Sequence, residues 1–381
     1  MVESDFCVPA RRAHLIFGPV VWDGWRPRHL VGILGLSKIW SLGTLEYVVL
    51  QLLSRPMDLK GLQENCAQLG FPLGWRRIFA LIQTLEGSGL LQDFSPSGAF
   101  VDSRRPGTTM SVAIGLKSKS LASSWYFRRV WECSDVERRI RRTMAVSKFL
   151  FSLPAVCMIV PLLFLCVLSI YAEHSVLFMQ AQSSLFRPVD MLIAGIVLTF
   201  SILIHEWGHA VACIRWGGWV SRAGLGWSFP FFLSAFVEAP SFRLFASSWR
   251  RAGVCFAGVW TSLVLLVPAT SLWLALRSIN AIAEPLAVIC IGLLGSVVFN
   301  LLPIPRIDGY QILCQALGVR NVFRDGTSGL LMLLTKRGRQ LIRVYDMNVF
   351  KKIFLVIYGF LCIATPLLIL SSLAWWLLRQ L

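Results

Sequence analysis

Five long apolar runs constrain the fold of this 381-residue chain more than any other feature of its sequence. Each run is long enough to cross about 30 Å of hydrocarbon as a helix. The composition agrees, since 56% of the residues are hydrophobic and only 15% are charged. We therefore predict a mainly α, polytopic membrane helical bundle of about five spans. The runs lie near residues 149–171, 191–213, 253–276, 285–305 and 353–378.

The basic residues between these runs predict the orientation of the chain. All but three of its 37 Lys and Arg lie in segments 1–148, 214–252 and 306–352, which five crossings place on one side. The positive-inside rule makes that side cytoplasmic. We predict a multi-pass protein of the bacterial cell membrane with a cytoplasmic N-terminus and no cleavable signal peptide. Basic loops beside anionic lipid account for the net charge of +17, so we expect the lipid bilayer as a partner and no nucleic acid.

The sequence His205-Glu206-Trp207-Gly208-His209 lies inside the second run, where ionisable side chains are costly. Residues i and i+4 share one face of a helix, so both imidazoles can bind one metal ion. Glu206 points off that axis, close enough to take a proton from a water that the metal activates. We predict Zn²⁺ ligands at His205 and His209 and a catalytic base at Glu206. The alternative is a polar cluster that joins helices by hydrogen bonds.

A catalytic zinc ion usually has three protein ligands and one position for water. The best candidate for the third ligand is Asp308, at the cytoplasmic end of the fourth run and thus at the membrane level of the two histidines. Pro303 and Pro305 cannot continue a helix, and Gly309 permits a sharp turn. Irregular backbone can therefore present the Asp308 carboxylate to the metal.

Other candidate ligands fit this geometry less well. Glu238 and Glu284 do not follow a broken helix, and Glu284 falls on the outer side of the membrane. Cys213 lies one turn after His209 and is an alternative extra ligand, although a small buried side chain is the preferred interpretation. The ten cysteines are scattered without C-x-x-C spacing, which is typical of reduced packing residues.

The two motifs together, H-E-x-x-H and N-x-x-P-x-x-x-x-D-G, resemble the site-2 protease family of intramembrane zinc metalloproteases. The run that begins Asp308-Gly-Tyr-Gln resembles the subgroup of putative peptide zinc metalloproteases. The resemblance covers about residues 191–310 and implies zinc ligands at His205, His209 and Asp308, with Asn300 near the substrate or the metal. The chain departs from the family after Ala252-Gly253, where Val254 replaces the usual Pro and a nearby Asn is lacking.

Residues 1–100 predict a small soluble, cytoplasmic α+β domain with a winged-helix-like fold. Its architecture resembles the peptide-recognition domains of ribosomal peptide maturation systems, without a shared motif that would assign a residue a role. Two interpretations stay open, a lid or stabilising domain and a domain that delivers peptide to the zinc. The predicted elements are strands near 14–17 and 29–34, helices near 44–53, 59–69 and 75–86, and a hairpin over 90–101.

Two further segments complete the predicted organisation. Residues 101–148 are rich in arginine and aromatic side chains, which predicts a basic linker with an amphipathic helix over about 125–142 on the lipid surface; a plain charged linker is the alternative. Residues 149–381 form the transmembrane metalloprotease domain. Within it, residues 216–236 are rich in Gly and aromatic residues and predict a hairpin that dips into the membrane beside the metal.

These features predict an intramembrane zinc endopeptidase that cleaves a peptide or a single-span membrane protein near the cytoplasmic face. A role in peptide maturation would bring an ABC-type peptide exporter as a partner. Three alternatives are a non-catalytic accessory protein of such an export system, regulated proteolysis of a signalling protein, and a DNA-binding regulator. The intact Glu206 disfavours the first, and the lack of a basic face on the third helix disfavours the last.

Overall fold

The structure is a computed structural model that describes residues 7–92, 127–133, 135–228, 232–344 and 347–380. The described chain is mainly helical, with a small N-terminal α+β unit followed by a bundle of long apolar helices. A second small antiparallel sheet lies beside the bundle. This arrangement confirms a mainly helical fold with five helices able to span a membrane and a small N-terminal sheet region, whereas the winged-helix identity of that region stays a prediction.

The N-terminal unit packs three helices against an antiparallel sheet of order β2-β3-β4. A separate short strand pair, β1 with β5, brings the start of the chain to the residues before the second helix. Predicted strands and helices of this unit are present, whereas the predicted hairpin of the winged helix extends outside the described residues. The elements are β1 (Cys7–Val8), β2 (Leu15–Asp23), β3 (Arg26–Ile33), β4 (Ile39–Leu42), α1 (Thr44–Leu52), β5 (Met57–Asp58), α2 (Leu59–Gln68) and α3 (Trp75–Gly87).

Helical spacing of apolar residues builds the core of this unit. Ile78, Ile82 and Leu85 recur on one face of α3 and are buried. They pack into one cluster with Leu50 of α1 and Leu62 of α2. Asp58 caps α2, since its side chain accepts a hydrogen bond from the backbone N–H of Gly61.

Residues 127–133 correct the prediction of an amphipathic helix over 125–142. They form a strand, β6 (Phe127–Cys133), which pairs with β7 (Arg222–Ser228) in a sheet of order β6-β7-β8. The helix α4 (Val136–Leu150) begins only after it. Valine and tryptophan favour a strand once a partner is present, and this partner lies about 95 residues away, where local periodicity carries no sign of it. The strand β8 (Phe232–Glu238) completes the hairpin predicted for residues 216–236.

Five of the described helices are long and apolar enough to cross a membrane, as predicted from the five runs. Three shorter helices connect the fourth of them to the last. The membrane helices are α5 (Leu153–Ala172), α7 (Pro188–Arg215), α8 (Ser248–Leu276), α9 (Asn280–Leu301) and α13 (Val349–Gln380). The remaining helices are α6 (His174–Ser184), α10 (Asp308–Leu317), α11 (Val322–Leu333) and α12 (Lys336–Val344), together with a 3₁₀ turn, Pro240–Leu244.

Helix α8 is the centre of the bundle. In its most apolar 18-residue stretch, 56% of the residues are buried, against 22% in α5 and α7 and 17% in α13. It packs against α5, α7, α9 and α10. Gly208 permits close approach of α7, because a Cβ there would lie 2.7 Å from the carbonyl oxygen of Ala257 and from Oγ1 of Thr261. The contact places the motif of the second span against the most buried helix.

Candidate metal centre

The two histidines of the H-E-x-x-H motif lie one turn apart on α7. His205 is buried, and its ring centroid is 4.9 Å from that of His209. The two Nε2 atoms are 3.2 Å apart and point to one place. The helical spacing predicted from the sequence therefore brings both imidazoles together.

The carboxylate of Asp308 joins them from a distant part of the chain. Its Oδ2 lies 2.8 Å from Nε2 of His205 and 3.2 Å from Nε2 of His209. Asp308 is the first residue of α10, after α9 has ended at Leu301. The prediction that a broken helix presents this carboxylate to the two histidines agrees with the geometry.

Several contacts fix the backbone between α9 and α10. The hydroxyl of Tyr358 on α13 donates to the carbonyl of Pro303 at 2.6 Å. Arg306 has φ of +79°, a left-handed conformation that is uncommon outside glycine. A Cβ on Gly309 would lie 2.3 Å from the carbonyl oxygen of Leu301, so only glycine fits there. This segment is therefore held in one irregular conformation just before and after Asp308.

The three donor atoms fit a small ion with tetrahedral geometry. Ligands at about 2.0–2.1 Å from zinc are separated from each other by about 3.3 Å in a tetrahedron. The separations of 2.8 to 3.2 Å between the two Nε2 atoms and Oδ2 are close to this value. Two imidazoles and one carboxylate are also a donor set that catalytic zinc uses, with the fourth position left for water or substrate.

Hydrogen bonds on the far side of each ring orient the imidazoles. Nδ1 of His209 donates to the carbonyl of Val254 at 2.7 Å, which leaves Nε2 with the lone pair that a metal requires. Nδ1 of His205 lies 3.0 Å from Oγ of Ser262. Both partners belong to α8. Metal-binding histidines commonly have such a second partner, which fixes the tautomer and the ring orientation.

Gly258 of α8 is the closest backbone position to the two rings, and the sequence analysis missed it. A Cβ at this position would lie 2.3 Å from Nε2 of His209 and 2.5 Å from Nε2 of His205. The imidazoles thus occupy the space where any other residue would place its side chain. Only the packing of α7 on α8 reveals this requirement.

Two opposing effects act on the pKa of the Asp308 carboxyl. Burial raises it, but the two imidazoles beside it lower it below its ordinary value. Glu206 is partly buried beside them, and its carboxylate interacts with the backbone of Val237 on β8. The site therefore combines an anionic ligand, two imidazoles and a nearby carboxylate at the edge of a strand.

Two of the weaker candidate ligands are engaged elsewhere. Glu238 forms an ion pair with Arg129 at 2.6 Å, and Glu284 forms one with Arg187. Among the described residues, the one group of His, Cys, Asp and Glu side chains arranged to hold a metal comprises His205, His209 and Asp308, with donor atoms within 4.8 Å of one another.

The remaining two candidates also lie outside that group. Sγ of Cys213 is buried 3.2 Å from Oγ of Ser241, which agrees with a packing role. Asn300 lies in α9 and donates its amide to the carbonyl of Ser296 at 3.0 Å. Its predicted role near substrate or metal stays a prediction.

Comparison with known proteins adds no assignment. No family model matches the chain, and no curated protein or solved structure is significantly similar to it. Conclusions about function therefore depend on the donor atoms, their separations and the elements that carry them.

Proposed function

We propose that this chain is an integral membrane zinc endopeptidase of the site-2 protease type. The observation that carries the proposal is the convergence of His205 and His209 with Asp308, which comes from a segment about 100 residues away. A cluster that merely joins helices by hydrogen bonds does not require both imidazoles to turn their Nε2 atoms to one carboxylate oxygen. Nor does it require Gly258 to leave room for the two rings.

The residues of the site have distinct roles in the proposed reaction. A zinc ion held by His205, His209 and Asp308 would supply a Lewis acid that polarises a carbonyl and makes a water more acidic. Glu206 takes the proton of the attacking water and returns it to the amine of the leaving peptide. Val254 and Ser262 hold the two imidazoles in place through their Nδ1 atoms.

The sheet beside the site supports an extended peptide substrate. In the order β6-β7-β8, strand β8 lies at an edge and α7 packs against it. Glu206 meets this strand at Val237. A peptide added to an edge strand presents its main chain, and cleavage needs access to the main chain. The proposed substrate is a peptide or a single-span membrane protein that unwinds near the site.

The proposed location is the cytoplasmic face of a bacterial cell membrane, with the N-terminus cytoplasmic. The basic residues support it, since Arg187, Arg277 and Arg379 alone lie on the opposite side of the proposed spans. Peptide maturation, with an ABC-type exporter nearby, is the first proposed context. Proteolysis of a signalling protein uses the same chemistry and is the second.

The test compares four site variants and one control variant of the full-length protein in detergent. His205→Ala, His209→Ala and Asp308→Asn should lose most of the bound zinc measured by atomic spectroscopy. Glu206→Gln should keep about one zinc per chain and lower cleavage by roughly 10²-fold or more. Glu86→Gln, an exposed position of α3, is the matched control and should behave as wild type.

Cleavage can be read without a known substrate. New peptide N-termini are mapped by mass spectrometry in membranes of cells that express either wild type or Glu206→Gln. Termini that depend on wild type support the endopeptidase. Identical sets of termini, together with normal zinc content, favour the non-catalytic accessory protein.

A further inference from the structure

The turn between β2 and β3 has an unusual residue at its tip. Asp23 pairs with Arg26, so Gly24 and Trp25 form a two-residue turn. Both have φ of +63°, as a type I′ turn requires. Glycine or asparagine is the ordinary choice at both positions, and a bulky residue in this conformation is strained. Strain of this kind persists only where surrounding structure holds the residue in place.

The surrounding structure here is a socket between α11 and α13. Trp25 is fully buried there, and its Nε1 donates to the carbonyl of Asp325 at 2.9 Å. The indole lies directly on Gly329 of α11, where a Cβ would be 2.3 Å from Cζ2 of the ring. Leu355 of α13 belongs to the same buried cluster. The N-terminal unit thus inserts a side chain into the helices that follow the metal centre.

The same hairpin holds the end of α10. The backbone N–H of Trp22 donates to the carbonyl of Gly318 at 2.9 Å, and the N–H of Arg320 donates to the carbonyl of Trp22 at 2.7 Å. Gly318 ends α10, the helix whose first residue is Asp308. Ten residues of helix span about 15 Å, so the hairpin and the third ligand hold opposite ends of one short rigid element.

A second contact keeps the N-terminal unit in place independently of the indole. Leu244 of the 3₁₀ turn packs on two glycines of the sheet, since a Cβ on Gly32 would lie 2.5 Å from its Cδ1. Nε1 of Trp219 also donates to the carbonyl of Leu36 at 3.1 Å. The indole itself shares a buried cluster with Tyr310 and Cys314 of α10. Its loss therefore removes packing against α10 and the anchor of the hairpin that bonds Gly318, without detaching the unit.

We propose that Trp25 is a positioning residue for the metal centre, through which the N-terminal unit fixes α10 and thereby Asp308. The expected effect on metal binding rests on the proposed zinc site, whereas the structural link between the N-terminal unit and α10 does not. It assigns the N-terminal unit a role in shaping the site, in addition to any role in binding peptide. Disturbing the socket loosens α10 and lowers the affinity of the site for the metal.

Two variants of the full-length protein disturb the socket from opposite sides. Trp25→Gly removes the indole and gives the turn the residue that a type I′ turn prefers, so the hairpin itself is not weakened. Gly329→Ala keeps the indole but fills its space. Gly87→Ala is the control, because a Cβ there meets nothing within 4 Å.

Three readouts are measured in detergent. They are zinc affinity by competition with a chelator, the electronic absorption spectrum of the Co²⁺-substituted protein, and hydrogen exchange of α10 without metal. We expect both variants to bind zinc about tenfold more weakly, to change the cobalt spectrum and to exchange faster in α10 than the control. Trp25→Phe should restore part of the affinity.

Wild-type zinc affinity with wild-type protection of α10 in Trp25→Gly would overturn the inference, as would loss of protection over the whole chain instead of α10. Failure of the proposed function looks different, because the wild-type protein would then bind no zinc. The hydrogen-exchange comparison tests the link to α10 in that case as well.

Discussion

Individual backbone positions decide whether the two histidines of α7 and the distant Asp308 can share one ion. The backbone position closest to the two imidazoles is Gly258, whose missing side chain leaves the space that both rings occupy. In the break before Asp308, the backbone of Arg306 adopts a left-handed φ of +79°. Such a conformation costs of order 1 kcal/mol or more, and the hydrogen bond from Tyr358 to Pro303 helps to hold the segment against it.

The first prediction concerns Gly258. Gly258→Ala should weaken zinc binding by about tenfold or more, because the added methyl displaces both Nε2 atoms from their shared position. Gly195→Ala is the matched control, since it adds a methyl to α7 where nothing lies within 4 Å. Chelator competition on both purified variants measures the difference. Equal affinity in the two variants would contradict the assignment of the site.

At the scale of elements, β3 and α1 make a contact that depends on pH. The ring of His29 stacks on Tyr47 with centroids 3.9 Å apart. Burial lowers the pKa of His29 below its ordinary value of 6.5, so the folded unit disfavours the charged ring. This contribution to stability is fully present above the unfolded pKa. It is lost as pH falls through 6.5 towards the lower folded value.

The N-terminal unit should therefore unfold at a lower temperature as the pH falls from about 7.5 to 5.5. His29→Phe keeps an aromatic ring on Tyr47 and should remove part of this dependence, whereas His174→Gln, on α6, should leave it intact. Thermal unfolding followed by hydrogen exchange of β3 measures the effect. The same pH dependence in His29→Phe as in wild type would refute the role given to His29.

Local sequence patterns were enough to predict the elements that form from residues close together in the chain. The five spans, the helices of the N-terminal unit and the β7–β8 hairpin follow from hydrophobic period and turn residues. Asp308 could be predicted because prolines mark the break in the helix before it. Strand β6 could not be predicted, since its partner strand is distant in sequence. The roles of Gly258, Val254 and Trp25 could not be predicted either, because these residues act only through contacts between packed elements.

The whole molecule has a predicted orientation that labelling can test. Gln182 lies on α6 and Thr335 lies between α11 and α12, and both are exposed. A membrane-impermeant maleimide added to intact cells should label Gln182→Cys, and Thr335→Cys should react only after lysis. The parent protein corrects for native cysteines. Labelling of Thr335→Cys from outside would reverse the proposed orientation and move the metal centre to the other face.

In the proposed site, two histidines and one aspartate of the helical bundle hold a zinc ion. X-ray absorption at the zinc edge of the detergent-purified wild-type protein tests it most directly. We predict about one zinc per chain with nitrogen and oxygen ligands at about 2.0–2.1 Å, two of them imidazoles. A sulfur ligand at about 2.3 Å, which would indicate a buried cysteine such as Cys213 or Cys255, or the lack of stoichiometric zinc, would contradict it.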